Sequence, residues 1–399
     1  MGLPAIAEAS PDADSMFDEA AFVAEVERFL ERALTPDLRE AGRRTVGVHS
    51  DIAASRIWHQ RLYAQGWIAP AWPKAHGGTG WTPRQRFLFD RACSANDAPV
   101  LFATGLRSLG PLLIEMGTPA QKARFLPAIL SGRDLWCQGF SEPGAGSDLA
   151  ALSTRAVRDG DAYVIDGAKI WTTGAHLANR MFALVRTSTG AKKQQGLTFL
   201  LVDMDSPGLT VRPILGLAGE HEFNEVVFDG VRAPVANRIG EEDDGWTVAK
   251  RLMALARSNN TPAALVRRVL RRAGLAIEAA GAAGEPAWRR RLAALQIELE
   301  AFEQLELAAL AAGRPGVSDL AAPPMLKLLG SELHQKAAEL AMEAAGPYAA
   351  AFPGDAHEEG PLAEGAHAMA KHLAVRAATI YSGSSETQRN VIARLLAGG

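Results

Sequence analysis

The sequence predicts a mostly α-helical protein with one central, mostly antiparallel β domain, and two changes of periodicity carry that reading. Up to residue 133, apolar residues recur at helical steps; from 134 to 240, short β-prone runs alternate with turn dipeptides; from 241 to 399 the text is helical again and rich in alanine. The expected divisions are therefore an α-helical N-domain (1–133), a β domain (134–240) and a C-terminal helical bundle (241–399). A long helical C-terminal zone without strand–helix alternation argues against a doubly wound dinucleotide-binding fold.

Each element follows from local chemistry. Between Phe17 and Leu34, the residues Phe22, Val23, Val26, Phe29 and Leu30 fall on one helical face. The segment PAWPKAHGGTGWTP (Pro70 to Pro83) breaks that pattern with proline and glycine, and helical text resumes toward Leu126. Asp159-Gly160 and Asp166-Gly167 flank Tyr163, Val164 and Ile165, which predicts a hairpin turn at each Asp-Gly pair. The runs GLTFLLVDM, LTVRPIL and FNEVVFDGV read as further strands. Leu292, Leu295, Leu299, Phe302 and Leu305 form the stripe of one long helix. Pro315-Gly316 and Pro323-Pro324 predict a loop, with a helix restarting at Met325 and reaching Ala345. PYAAAFPGDAHEEGPLAEGAH predicts a long connection, and a last helix begins near Ser384. There is no internal repeat.

Composition excludes several classes. The 399 residues are 48% hydrophobic and 22% charged, with a net charge of -3, against the strongly basic balance of a nucleic-acid binder. No apolar run reaches about 18 residues, so no membrane-spanning helix is expected. Two cysteines, Cys93 and Cys137, form no CxxC pair, so neither a disulfide framework nor a thiolate metal site is expected. The N-terminal text lacks a basic region followed by an apolar one and reads as that of a cytoplasmic protein.

Three stretches carry chemistry. WCQGFSEPGAGSD (Trp136 to Asp148) joins helical text to the β domain, and its glycines and hydroxyls suit an anion or a flavin, or an ordinary interdomain loop. KIWTT (Lys169 to Thr173) offers Trp171 as a stacking surface for a planar ring, or as a core residue. ATIYSGSSETQR (Ala378 to Arg389) opens the last helix with serines that suit a phosphate, or serve as an ordinary cap. Gly144-x-Gly146 lacks the third glycine and the crossover helix of a dinucleotide fingerprint.

Together these stretches resemble the acyl-CoA dehydrogenase family. WPKAHGG, FSEPGAGSDLAAL, DGDAYVIDGAKIWTTGA, FNEVVFDGVRAP, GEEDDGWTVAKRLM and IYSGSSETQRNVIA match that family in order and spacing, nearest to bacterial branches acting on dicarboxylyl- or steroid-side-chain-CoA substrates. The resemblance implies a helical N-domain, an antiparallel β domain and a C-terminal four-helix bundle, assembled as a homo- or heterotetramer. It implies FAD as cofactor, an acyl-CoA substrate and an electron-transfer flavoprotein as candidate acceptor, in fatty acid or steroid side-chain catabolism. By similarity, Gln138 to Ser147, Gly146 included, line the flavin and its pyrophosphate. Ser141 faces the ring, and Ser147 meets phosphate or acyl-CoA. Trp171 and Thr173 cover the ring. Ser384 and Glu386 meet the adenosine end, Glu386 standing where glutamine is more usual. Arg257 and the Ser382 backbone N–H belong to the substrate site.

The family's reaction removes a proton α to the thioester and transfers the β hydrogen to flavin. Its base is a glutamate at one of two positions, which here hold Ala256 and Ser382. A positioned base contributes roughly 10²–10⁴-fold, so no catalytic residue is assigned from sequence. Three functions stay open: an acyl-CoA dehydrogenase with a base elsewhere, a base-less FAD-holding subunit of a heterotetramer, and a flavin monooxygenase or oxidase on the same fold.

Overall fold

The structure, a computed structural model, describes residues 17–256, 261–311, 317–351 and 361–397. Six helices come first: α1 (Glu19–Ala33), α2 (Pro36–Arg43), α3 (Ile52–Gln65), α4 (Pro83–Ala95), α5 (Gly110–Met116) and α6 (Pro119–Leu130). Their starts are chemically marked. Asp18 caps α1 by accepting from Ala21 N at 2.9 Å, while Thr82 with Gln85 and Thr118 with Gln121 form reciprocal capping boxes ahead of α4 and α6. The α1 stripe read from sequence is buried at Phe22, Val26, Phe29 and Leu30, against Trp58, Trp67 and Phe89.

Eight strands make one sheet: β1 (Trp136–Gly139), β2 (Arg155–Asp159), β3 (Ala162–Lys169), β4 (Arg180–Arg186), β5 (Leu197–Asp203), β6 (Leu209–Leu215), β7 (His221–Pro234) and β8 (Arg238–Ile239). Their order is β6-β7-β3-β2-β4-β5-β8, with β1 added parallel to β4. The unbroken apolar runs of β4 and β5 are explained by burial on both faces. Phe182, Leu184, Phe199 and Leu201 join the N-domain core, while Met181, Ala183, Leu200 and Val202 pack on the other side.

The last third holds α7 (Gly245–Ala256), α8 (Ala263–Ala279), α9 (Pro286–Ala311), α10 (Val317–Ala344), α11 (Pro361–Ala374) and α12 (Ser385–Leu396). Leu299 and Phe302 of α9 enter a core with Val266, Leu270, Leu333 and Leu340, as the stripe predicts. The Arg268 guanidinium ties α8 to the N-domain by donating to Ala98 O at 3.0 Å and Gly42 O at 3.4 Å.

Three local expectations are corrected. Asp166-Gly167 is not a turn: it lies inside β3, where the register with β7 shifts and Gly167 takes φ 143°. Pro323-Pro324 lie within α10 rather than in a loop, because the packing of that helix against α8 and α9 outweighs the lost backbone donors. The end of the expected connection, from Pro361, is already helix α11, with proline at its first position.

Candidate functional site

The loop after β1 is built around Glu142. Its carboxylate is buried and accepts from Ser153 N at 2.6 Å, Ser153 Oγ at 3.0 Å, Thr154 N at 2.9 Å and Lys169 Nζ at 2.8 Å. Lys169, fully buried at the end of β3, also donates to Leu184 O at 2.6 Å and Phe140 O at 3.2 Å. Burial pushes both groups toward their neutral forms. For Glu142 the Lys169 charge and the donors outweigh burial and hold the carboxyl down to about 2. For Lys169 burial prevails over Glu142 and the ammonium is lowered to about 8. Above this anchor Gly144, Gly146 and Ser147 are exposed, and a Cβ on either glycine would meet open space. Gln138 is half-buried in β1.

The same anchor aims the next segment. Ile170 N donates to Ser141 O at 2.8 Å, which brings the Ser141 loop and the Trp171 turn together. Trp171 is not a core residue: it is 58% exposed and held at φ 58°, a left-handed conformation uncommon for a bulky side chain. Beside it, Thr173 is half-buried and the Thr172 hydroxyl is buried without a partner among the described residues. Asn224 holds the turn, donating to Thr172 O at 2.9 Å and accepting from Thr172 N at 2.9 Å. An exposed flat indole, open glycine backbone and an orphaned hydroxyl suit a planar cofactor with an anionic tail, so these residues fit a flavin.

At the other end, Ser384 caps α12 by accepting from Thr387 N at 3.3 Å, as the ordinary-cap reading expects. Glu386 is exposed in the first turn, and its carboxyl is lowered by hydrogen bonds from its own backbone and Ser384. Ser382 is held at φ 56°, with Gln388 Nε2 donating to Ser382 O at 3.4 Å and Gly383 O at 3.2 Å. Among the described residues, no hydrogen bond joins Ser384 or Glu386 to the Ser141 loop. Ala256 ends α7, and Arg257 lies outside the described residues.

Sequence reasoning missed the cavity between these elements. It measures about 170 Å³ and is lined from α3, α4, β7, α8, α10 and α11. Tyr381, next to Ser382, stands in its wall, and so does Phe223, whose ring meets Trp171 edge-on at 6.1 Å. The cavity therefore adjoins both the Trp171 surface and the Ser382 loop. Asp90, Glu222 and His334 also line it. Glu222 is committed elsewhere, accepting from Val48 N at 2.6 Å. Both His334 ring nitrogens are buried without partners among the described residues, and burial with the nearby Lys371 and Arg376 lowers its basicity. No sequence signal marks Asp90, which reads as one more charge on an amphipathic helix. Among the described residues no group of three or more His, Cys, Asp or Glu could hold a metal, and no helix is long and apolar enough to cross a membrane.

Comparison with known proteins covers nearly the whole chain. Models of the acyl-CoA dehydrogenase N-terminal, middle and C-terminal domains match residues 17–133, 137–231 and 243–397. Acyl-CoA dehydrogenase IpdE1 of Mycobacterium tuberculosis is 40% identical over 354 residues, covering 88% of this chain and 89% of its own. Among solved structures, the Tcur3481-Tcur3483 steroid ACAD superposes with TM-score 0.83 at 29% identity, over 96% of this chain and 98% of that one. The ChsE4-ChsE5 complex from Mycobacterium tuberculosis gives TM-score 0.80 at 29% identity, over 99% of each chain.

Proposed function

The chain belongs to the acyl-CoA dehydrogenase family of FAD-dependent oxidoreductases, and from that premise we propose that it dehydrogenates the α,β bond of an acyl-CoA whose acyl group derives from a steroid. The observation that carries the proposal is the exposed, left-handed Trp171 standing edge-on to Phe223 in the wall of the 170 Å³ cavity. A flat surface for the cofactor thus adjoins a chamber for the acyl group. At about 170 Å³ the chamber has the volume of a ring-sized acyl portion. The steroid assignment draws on the likeness to the steroid ACAD.

FAD, when bound, supplies the acceptor for the β hydrogen. The chain's own residues do the rest. Gln138, Ser141, Gly146 and Ser147 hold the flavin and its pyrophosphate, Trp171 and Thr173 cover the ring, and Ser384 and Glu386 receive the adenosine end. Ser147, Arg257 and the Ser382 N–H receive the thioester, the last polarising its carbonyl. The domain divisions 1–133, 134–240 and 241–399 put the flavin segments on the β domain and the cap of α12 on the bundle. A tetramer completes the site. A heteromeric assembly is favoured by the ChsE4-ChsE5 complex.

The test is reconstitution. Purified chain, mixed with FAD, should retain the flavin on desalting and bind acyl-CoA thioesters with a perturbed flavin spectrum. A chain that takes up neither, alone or with a candidate partner, contradicts the assignment.

A further inference from the structure

We propose that Asp90 is the proton acceptor of this site. The proposal rests on the dehydrogenase reading above and deepens it, because that reaction needs a base and residues 256 and 382 supply none.

Asp90 sits on α4 with an exposed side chain, yet it lines a cavity enclosed by three parts of the molecule. Part of its exposed surface therefore faces the chamber. Pro262 and Ala264 line the same chamber at the start of α8, six and eight residues after Ala256, and Tyr381 lines it one residue before Ser382. The carboxylate thus shares a chamber with the residue that precedes Ser382. Phe223 brings the chamber to the Trp171 surface.

Two other acids nearby have partners of their own. Glu222 is held by Val48 N. Glu306 is outside the chamber lining and accepts from Ala263 N at 3.2 Å at the head of α8. Asp90 has no hydrogen bond or ion pair to any described residue, although it stands among charged and titratable groups. Arg86 and Cys93 lie on its own helix, Arg107 precedes α5, Arg268 comes from α8 and Glu306 from α9. Burial raises the Asp90 carboxyl above its usual value, with Arg107 and Arg86 pulling back. That direction strengthens it as a base. Cys93 does not compete, since burial and Asp90 keep its thiol neutral.

The step is a proton transfer. The substrate Cα–H bond breaks, an O–H bond forms on Asp90, and the electron pair remains on the thioester as an enolate. No electrons leave the substrate in this step, so it can be measured apart from flavin reduction.

The probe is (cyclohexylthio)acetyl-CoA, whose α hydrogens are acidic and whose β position is sulfur, with no hydrogen to transfer. Full-length chain with FAD is incubated with it in D₂O and α-deuteration is followed by mass spectrometry. Wild type should exchange, and its rate should rise as pH climbs through the Asp90 titration. Asp90→Asn should bind the probe and FAD but exchange ~10²–10⁴-fold more slowly. Asp90→Glu should keep part of the rate with a displaced pH midpoint. Undiminished exchange by Asp90→Asn, or no exchange by wild type that binds both ligands, overturns the proposal and leaves the family reading standing. If Asp90→Asn does not fold, Asp90→Glu decides, and a pH midpoint identical to wild type overturns it. Wild type that binds neither FAD nor probe, alone or with a partner, overturns both readings.

Discussion

Replacing Lys169 with methionine tests how the site is held. The ammonium is 0% exposed and donates to Glu142, Leu184 O and Phe140 O, so the change strips a buried carboxylate of its counter-charge. Breaking one side of a buried pair costs about 3–5 kcal/mol. The pair as a whole is worth far less. Holding Glu142 at about 2 against 4.5 stabilises by roughly 3 kcal/mol at neutral pH, while lowering Lys169 from 10.5 to about 8 costs a similar roughly 3 kcal/mol. These opposing quantities nearly cancel. Lys169→Met and Glu142→Gln should each destabilise by about 3–5 kcal/mol, and the double variant by far less than their sum. Urea unfolding followed by circular dichroism gives the four-member cycle. The Ser141 loop hangs on this pair, so FAD affinity should fall in both single variants. Additive losses, or a Lys169→Met cost below about 1 kcal/mol, would refute the anchoring argument.

Other outcomes follow from the same geometry. Glu142 is depressed, so its contribution is full above its ordinary 4.5 and lost as pH falls from 4.5 through about 2; acid unfolding should steepen there, and Glu142→Gln should flatten it. At Gly167, with φ 143°, an added Cβ would lie 2.8 Å from Thr154 Cα, so Gly167→Ala should cost about 1–3 kcal/mol by the same urea assay. Trp171→Gly relieves a positive φ and removes an exposed ring, so thermal stability should hold or rise while FAD affinity falls in equilibrium titration.

The helices and strands were legible because their signals are local. The α1 stripe, the β5 run and the Ser384 cap each depend on residues within one element. What failed depends on distant packing. Asp166-Gly167 has turn chemistry, but pairing with β7 on the far side of β3 turns it into a bulge. Pro323-Pro324 have breaker chemistry, but α10 packs with α8 and α9 from Leu326 onward. In the site, Ser141 and Trp171 could be picked out as chemistry-bearing, yet the Glu142–Lys169 pair joining them was hidden in plain motif text. Asp90 was invisible for a deeper reason. A carboxylate on an amphipathic helix looks solvated until α8, α11 and the Tyr381 loop close a chamber over it.

The most direct measurement of the central claim is a single anaerobic turnover. FAD-loaded protein, alone and with a candidate partner, is mixed with stoichiometric cyclohexanecarbonyl-CoA, and the visible flavin band and the thioester mass are followed together. The account predicts bleaching of the flavin with loss of two hydrogens from the thioester. An unbleached flavin with bound, unchanged thioester in both preparations, or a product gaining oxygen when air is admitted, would contradict it.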